Sequence, residues 1–362
     1  MQVFLNILIL LVGLAFLIKG ADYFVSGASA VAKKLKVSTL VIGLTVVAIG
    51  TSLPELAVSI TSAVRGNVEM SVGNVVGSNM ANMFLIVGFI ALLAPVKVKE
   101  SSKKFDIPFM VFVTGILLLF CMDVFFYEGA SSIITRTESI AFLLFLICYI
   151  IFIVLNAKKK PKLSNRDAFE KYLENLENEV KKQNVLDEEK TEKSFFKKIW
   201  KFIKGGDHRD LKIWEIVFYL VIGVAGVVLG GEAVARTAEN LALMAGMSET
   251  LVGITIIAIG TSLPELVTSA VAAKKGETDL AIGNVVGSNI MNILLILGVV
   301  GVINPITVST DILIDLFILF VFSLIFAFIS LFKMKISKIS GLIFLLMYFS
   351  YMSFAIVRNY CF

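Results

Sequence analysis

The string AIGTSLPEL occupies residues 48–56 and recurs unchanged at 258–266, and each copy is followed by GNVVGSN, at 73–79 and at 283–289. Glu265 lies 210 residues after Glu55 (265 − 55), and Asn289 lies 210 after Asn79 (289 − 79). At the same offset Gly13 matches Gly223, Gly20 matches Gly230, and the acid Asp22 matches the acid Glu232. The chain is therefore two related halves. Each half carries one glutamate inside an otherwise apolar stretch, and duplicated acids at membrane depth point to a path for cations.

Of the 362 residues 57% are hydrophobic, 29 are Phe and the mean hydropathy is +0.90, values that exclude a soluble globular domain. Repeated apolar runs reach the roughly 20 residues needed to cross a bilayer core. Ten spans are expected, at 3–28, 38–64, 71–94, 107–127, 137–157, 213–236, 248–273, 279–303, 311–332 and 340–358. Five spans per half is an odd number, so the second half enters from the opposite face. The expected fold is an all-α polytopic membrane protein of ten transmembrane helices in two inverted five-helix repeats, 1–157 and 213–362, joined by a charged loop at 158–212. The first span has no basic leader and no small-residue cleavage site, and Lys19 and Asp22 interrupt it, so it reads as a retained helix rather than a signal peptide.

Lys and Arg near span ends mark the cytoplasmic side. Lys33, Lys34 and Lys36 follow span one, and Lys97, Lys99, Lys103 and Lys104 follow span three, whereas spans two and four are followed only by Arg65 and Arg136. In the second half Lys274 and Lys275 follow span seven, and Lys333, Lys335 and Lys338 follow span nine. The expected location is the cell membrane, with both termini outside and the long loop cytoplasmic. Within that loop SFFKKIWKFIK places Phe196, Ile199, Trp200 and Ile203 on one helical face and lysines mostly on the other. Such a helix lies either on an anionic membrane surface or against the protein's own cytoplasmic ends. Cys121, Cys148 and Cys361 lack disulfide or zinc spacing, His208 is alone, and no EF-hand string occurs. The net charge of +5 belongs to cytoplasmic loops, and nothing supports nucleic-acid binding.

Glu55 and Glu265 fall near the middle of spans two and seven, where a carboxylate costs a few kcal/mol unless it faces a cavity, a partner or an ion. Pairing with Lys19 or Arg236, or protonation, is the bland explanation; repetition inside identical strings weighs against it. Pro54 and Pro264 remove a backbone N–H, which frees carbonyls near Gly50, Thr51, Gly260 and Thr261. Ser52, Ser262, Ser78 and Ser288 add hydroxyls, and Asn82 and Asn292 add amide oxygens. An all-oxygen set suits hard cations, calcium above all and also sodium, and two carboxylates match one divalent charge. Magnesium or manganese meets the same chemistry. Gly73, Gly77, Gly283 and Gly287 read as close-packing positions. Asn74, Asn79, Asn284 and Asn289 read as ion contacts or helix-joining hydrogen bonders, and Asp22 and Glu232 as structural or gating groups.

The paired GTSLPE and GNVVGSN strings resemble the two alpha repeats of the sodium/calcium exchanger family, within the cation/calcium antiporter superfamily, and its prokaryotic members in particular. The resemblance covers the membrane part of both halves. It implies antiport of Na+ against Ca2+ by alternating access, with ions held between spans two, three, seven and eight while spans one and six slide. Position by position it implies a site of Glu55, Glu265, the carbonyls of Thr51, Thr261, Ala48 and Ala258, and side-chain oxygens of Ser52, Ser262, Ser78, Ser288, Asn82 and Asn292. The ions are cargo, so no cofactor is implied; the expected partners are Ca2+, Na+ and membrane lipids. Asn292 stands where the potassium-dependent branch and some prokaryotic relatives carry Asp, which argues against potassium cotransport. The loop is too short for the paired calcium-sensing domains of animal exchangers. A calcium/proton antiporter is the nearest alternative, although that branch typically bears Gly-Asn-x-x-Glu on the acid-bearing helix. A cation channel is a further alternative, and no nucleophile–base pair or cofactor motif supports an enzyme.

Overall fold

The computed structural model describes residues 2–93, 96–122, 132–157, 212–246, 258–332 and 335–361. The amphipathic stretch expected in the charged loop, the end of span four and the first part of span seven lie outside these residues. Long helices dominate because apolar runs of this length satisfy every backbone N–H and C=O internally. Among the described residues seven helices are long and apolar enough to cross a membrane, or up to eight if the bent pair Thr39–Thr51 and Leu53–Val64 is one span. The protein is a multi-pass membrane protein.

In the first half α1 (Gln2–Leu35) precedes a broken rod made of α2 (Thr39–Ile42), a π-helical turn (Gly43–Val47), α3 (Ala48–Thr51) and α4 (Leu53–Val64). Next come α5 (Glu69–Met80), a π segment (Ala81–Ile86) and α6 (Val87–Leu93), then β1 (Val96–Lys97), a π turn (Ser102–Asp106), α7 (Ile107–Phe120), β2 (Ser132–Ile134) and α8 (Arg136–Ala157). The second half begins with α9 (Ile213–Met244), α10 (Ala258–Thr261), α11 (Leu263–Lys274) and α12 (Thr278–Met291). It continues through a π segment (Asn292–Leu297), α13 (Gly298–Ile303), β3 (Ile306–Val308), α14 (Thr310–Phe332), β4 (Lys335–Ile336) and α15 (Lys338–Cys361).

The repetition seen in the sequence extends to the backbone. Gly66 and Gly276 both take positive φ, 83° and 81°, just past α4 and α11. At each, two main-chain bonds close the helix end: Gly66 N–H to Ala63 O and Asn67 N–H to Ser62 O, then Gly276 N–H to Ala273 O and Glu277 N–H to Ala272 O. A residue with a Cβ would strain that left-handed position.

Two features differ from the expectation. Among the described residues four short strands form two antiparallel ribbons, β1 with β4 and β2 with β3, in the registers Val96↔Ile336 and Ile133↔Thr307. Segments of two or three residues are too short for an alternating pattern to declare itself. The helices α1 and α9 also run past their expected ends, 28 and 236, to Leu35 and Met244. Charged residues such as Lys33 and Glu239 end an apolar run without ending a helix.

Burial orders the helices into a centre and a shell. In Glu69–Leu93 and Thr278–Ile303, which carry the GNVVGSN strings, 78% of the most apolar 18-residue stretch is buried, against 17% in Val3–Leu35 and 22% in Arg136–Ala157. Small residues let the backbones meet. A Cβ on Gly283 would lie 2.6 Å from Leu40 O, and one on Gly287 2.7 Å from Ala48 Cβ, so α12 packs directly on the rod that carries the first AIGTSLPEL string. For Gly73 and Gly77 nothing lies within 4 Å among the described residues. The α1–α9 contact is tighter still: a Cβ on Gly20 would meet Gly226 C at 2.6 Å, and one on Gly223 would meet Phe24 N at 2.5 Å.

That seam makes a stability prediction. Gly223→Ala must push two main chains apart and is expected to cost about 1–3 kcal/mol, lowering the thermal unfolding midpoint in detergent. Gly115→Ala, whose Cβ would meet only the Phe320 ring at 3.1 Å, is expected to cost clearly less. Equal midpoints for the two variants would contradict the account.

Candidate ion-binding site

Each acid sits where its helix breaks. Ser52 (φ −84°, ψ 6°) and Ser262 (φ −88°, ψ 3°) leave the helical region, and the rod turns by 45° between Thr51 and Leu53. Proline at the start of α4 and α11 enforces the break, since residue 54 or 264 offers no N–H to the carbonyl of Gly50 or Gly260. The helix restarts at once, with Leu56 N–H bonded to Ser52 O and Leu266 N–H to Ser262 O. Glu55 and Glu265 consequently fall in the first turn of α4 and of α11, where the helix end carries positive partial charge.

The two broken rods meet. Glu55 and Glu265 are each 1% exposed. Ser52, three residues before Glu55 in the first string, donates its hydroxyl to Glu265 Oε1 of the second at 3.2 Å, so the break that carries one acid touches the other acid. The π segment that begins beside Asn82 packs on α11, and the one that begins at Asn292 packs on α4. Each half thus supplies an acid to one side and an amide to the other. A π turn inserts an extra residue into the helical ladder and re-aims the side chains that follow, a device common at functional sites.

Around the acids many polar atoms have no partner. Among the described residues Glu55 Oε2, Glu265 Oε2, Ser78 Oγ, Ser288 Oγ, Ser262 Oγ, Asn82 Oδ1 and Asn292 Oδ1 are buried without a hydrogen bond. Each such atom costs about 1–3 kcal/mol if nothing fills its lone pairs, so a concentration of them on packed helices is suited to being filled by water or by cations. All are oxygens. Among the described residues no group of three or more His, Cys, Asp or Glu could hold a metal, so any bound cation relies on two carboxylates and neutral oxygens.

The remaining expected residues divide into two kinds. Thr51 Oγ1 donates toward Val47 O at 3.2 Å and Asn284 Oδ1 at 3.1 Å, which fixes where its proton points and leaves its lone pairs, like the carbonyl, facing away from these acceptors. The Ala48 carbonyl accepts Ser52 N–H at 3.1 Å and lies 3.4 Å from the Thr51 hydroxyl. Ala258 and Thr261 form α10 at the equivalent place in the second half. Asn284 and Asn74 join helices: Asn284 Nδ2 donates to Ser269 Oγ at 2.9 Å, and Asn74 Nδ2 to Ser59 Oγ at 3.3 Å. The sequence held that signal, a Ser fifteen residues before each Asn in both halves. Arg236, one of the suggested partners for the buried acids, is instead paired with Glu232 in its own helix.

One contact was not anticipated. Lys275 Nζ reaches Asp22 Oδ1 at 2.7 Å, Asp22 O at 2.9 Å and Ser26 Oγ at 2.8 Å, tying the end of α11 to α1. The repetition of Asp22 as Glu232 and of Arg65 as Lys275 was the available hint.

Comparison with known proteins agrees with this geometry. The family described as sodium/calcium exchanger protein matches residues 5–155 and 215–357. The sodium/calcium exchanger MaX1 of Methanosarcina acetivorans is 36% identical over 294 residues, 80% of this chain and 80% of that protein. The inner membrane protein YrbG of Escherichia coli is 31% identical over 287 residues, 79% and 76% of the respective chains. A solved structure of the sodium-calcium exchanger NCX_Mj, soaked with 2.5 mM Na+ and 0.1 mM Ca2+, superposes with a TM-score of 0.74 at 26% identity, covering 96% of this chain and 98% of that one. With a family match across both halves and relatives alike over most of their length, the chain belongs to the sodium/calcium exchanger family of membrane antiporters.

Proposed function

We propose that this protein exchanges Na+ for Ca2+ across the membrane by alternating access, with both ions competing for oxygens around Glu55 and Glu265. The observation that carries the reading is one buried acid from each half, with Ser52 of the first string hydrogen-bonded to Glu265 of the second, together with buried unpartnered oxygens on the same strings and the helices that follow them. Two carboxylates carry two negative charges in a low-dielectric interior, where mutual repulsion and lost hydration both oppose an empty state. One Ca2+ offsets both charges, and so do sodium ions distributed over the same oxygens. An empty core is therefore reluctant to switch, and occupancy licenses the movement. The carbonyls of Thr51, Thr261, Ala48 and Ala258, the hydroxyls of Ser52, Ser262, Ser78 and Ser288, and the amide oxygens of Asn82 and Asn292 complete the proposed coordination.

The reading includes the topology. Ten spans form two inverted repeats, 1–157 and 213–362, with both termini outside and residues 158–212 cytoplasmic. In such an arrangement the halves exchange roles during transport. The α1–α9 pair leans toward α11, where a Cβ on Gly231 would meet Pro264 at 3.1 Å. On the other side a cleft of about 780 Å³ separates α9 from Leu53, Pro54 and Ala57. We infer that the pair moves toward α4 in the opposite state, closing this cleft. The Lys275–Asp22 contact is then a latch that must open. Its repeat equivalent, Arg65 with Glu232, has to compete with Arg236, which already holds Glu232. The latch therefore favours the arrangement in which α1 rests on α11.

Calcium uptake by proteoliposomes, driven by a sodium gradient with pH clamped on both sides, tests the exchange. Uptake that stops when sodium is removed from the opposite side is expected. Uptake driven only by a pH gradient would replace sodium with protons, and flux without any counter-ion would mean a channel. In the same assay Glu55→Gln and Glu265→Gln are each expected to lower exchange at least about a hundredfold, since loss of one partner of a buried charge set costs about 3–5 kcal/mol; near-normal transport by either would remove that residue from the site. For the latch, Lys275→Gln and Asp22→Asn are each expected to change the exchange rate by about two- to fivefold, as suits a partly exposed ion pair, and their effects should not add. Additive effects would mean that the pair does not act as a unit.

A further inference from the structure

We propose that Asn79 is a positioning residue, which turns the amide of Asn292 so that its carbonyl oxygen, and not its NH2 group, faces the transported cation. The proposal rests on the reading of the site given above. Asn79 lies in the last turn of α5, is 1% exposed and is not among the oxygens that complete the proposed coordination. Its Nδ2 lies 3.4 Å from the main-chain carbonyl of Asn289, and its Oδ1 accepts from Asn292 Nδ2 at 3.0 Å.

The direction of this relay is fixed at one end. A main-chain carbonyl can only accept, so the end of the Asn79 amide that faces Asn289 O must be the NH2 group. Asn79 Oδ1 then faces Asn292, and this end can only accept in turn. Asn292 must answer with its own NH2, which sends Asn292 Oδ1 the other way, where it has no partner among the described residues. Turning Asn292 over would set two carbonyl oxygens against each other and present a donor group to a cation. An isolated amide has no such preference. Held by Asn79, it presents an acceptor before any ion arrives, and preorganisation of that kind is what raises affinity.

The relay exists in one half alone among the described residues. Asn289 is the repeat equivalent of Asn79 and is equally buried, but its Nδ2 is given to the thioether of Met110 at 3.4 Å, and its Oδ1 has no partner. Asn82, the counterpart of Asn292, also has an unpartnered Oδ1. The two equivalent side chains thus provide a built-in comparison between orienting an ion ligand and merely filling a buried polar position.

Equilibrium binding of 45Ca2+ to the purified full chain in detergent tests the assignment. Asn79→Leu keeps the volume and removes both ends of the relay; it is expected to weaken Ca2+ binding by about tenfold, the scale of one buried hydrogen bond. Asn292→Ala should weaken it at least as much, and adding Asn79→Leu to Asn292→Ala should cause no further loss. Asn289→Leu, which retains the main-chain carbonyl, should change the affinity by less than about twofold, since the Asn289 amide donates to Met110 and orients neither Asn82 nor Asn292. Additive losses in the double variant, or equal losses for Asn79→Leu and Asn289→Leu, would overturn the proposal. Should Asn79→Leu fail to fold, a structure of the unaltered protein with Ca2+ bound decides: Asn292 Oδ1 on the ion with Nδ2 on Asn79 is expected, and an Asn292 amide turned away from Asn79 overturns it. Binding that follows the expected cycle while sodium-driven uptake is absent would strike the exchange reading and leave this one standing.

Discussion

Two carboxylates buried between apolar helices impose a constraint to which the rest of the molecule answers. Deep in a bilayer a charged acid is expensive, and two acids facing each other add repulsion to lost hydration. The chain meets this with local structure. Each acid stands at the start of a helix rather than in its middle, so free N–H groups point toward it. Ser52 supplies a hydroxyl to Glu265 from the opposite half. Even so, the second oxygen of each carboxylate has no protein partner among the described residues. Broken backbone at membrane depth is tolerated only where protein or a hydrated cavity surrounds it. The breaks at Ser52 and Ser262 and the π segments at Ala81–Ile86 and Asn292–Leu297 all adjoin the acids or the amides packed against them.

The packing around this centre separates what must stay rigid from what can move. The helices carrying GNVVGSN are enclosed, and α12 meets the first broken rod with only a glycine's thickness between backbones. The oxygens proposed to hold the ions therefore lie in a tightly packed core. A similar seam joins α1 to α9, where no side chain separates the helices at Gly20 and Gly223. Bodies packed so closely move as units. The contact between the α1–α9 pair and the core is of another kind: a polar tie through Lys275 on one side and an apolar cleft beside Pro54 on the other. Interfaces of that sort can be broken and remade at small cost.

Much of this was legible in the sequence, for reasons that differ from residue to residue. The long apolar helices that are described were legible because a helix in lipid must be apolar along most of its length. Glu55 and Glu265 stood out because an acid in such a run is costly, and because each recurs inside an identical string. Pro54 and Pro264 announced the broken helices, since a missing N–H is a local property. The π segments were not legible: Asn82 and Asn292 sit in runs whose composition suits an ordinary helix, and only packing against α11 and α4 selects the wider turn. The β-ribbons depend on which loop meets which, as in Val96 opposite Ile336. The Lys275–Asp22 tie joins residues 253 positions apart, and only their repeat relation hinted at it.

What identical strings withhold is asymmetry. Asn79 and Asn289 occupy the same place in the same seven residues, yet one orients an amide in the other half while the other is spent on the Met110 sulfur. Asp22 and Glu232 are equivalent, yet one crosses to another helix and the other is neutralised within its own. The difference arises in residues outside the repeated strings: Ser26 in one half stands where Arg236 stands in the other. Ser26 adds a third acceptor to the Lys275 ammonium, which has three protons to give, so that contact is saturated. Arg236 removes the corresponding opportunity from Glu232. If the halves trade places as proposed, the duplicated residues make both states possible, and the unduplicated ones set the free-energy difference between them.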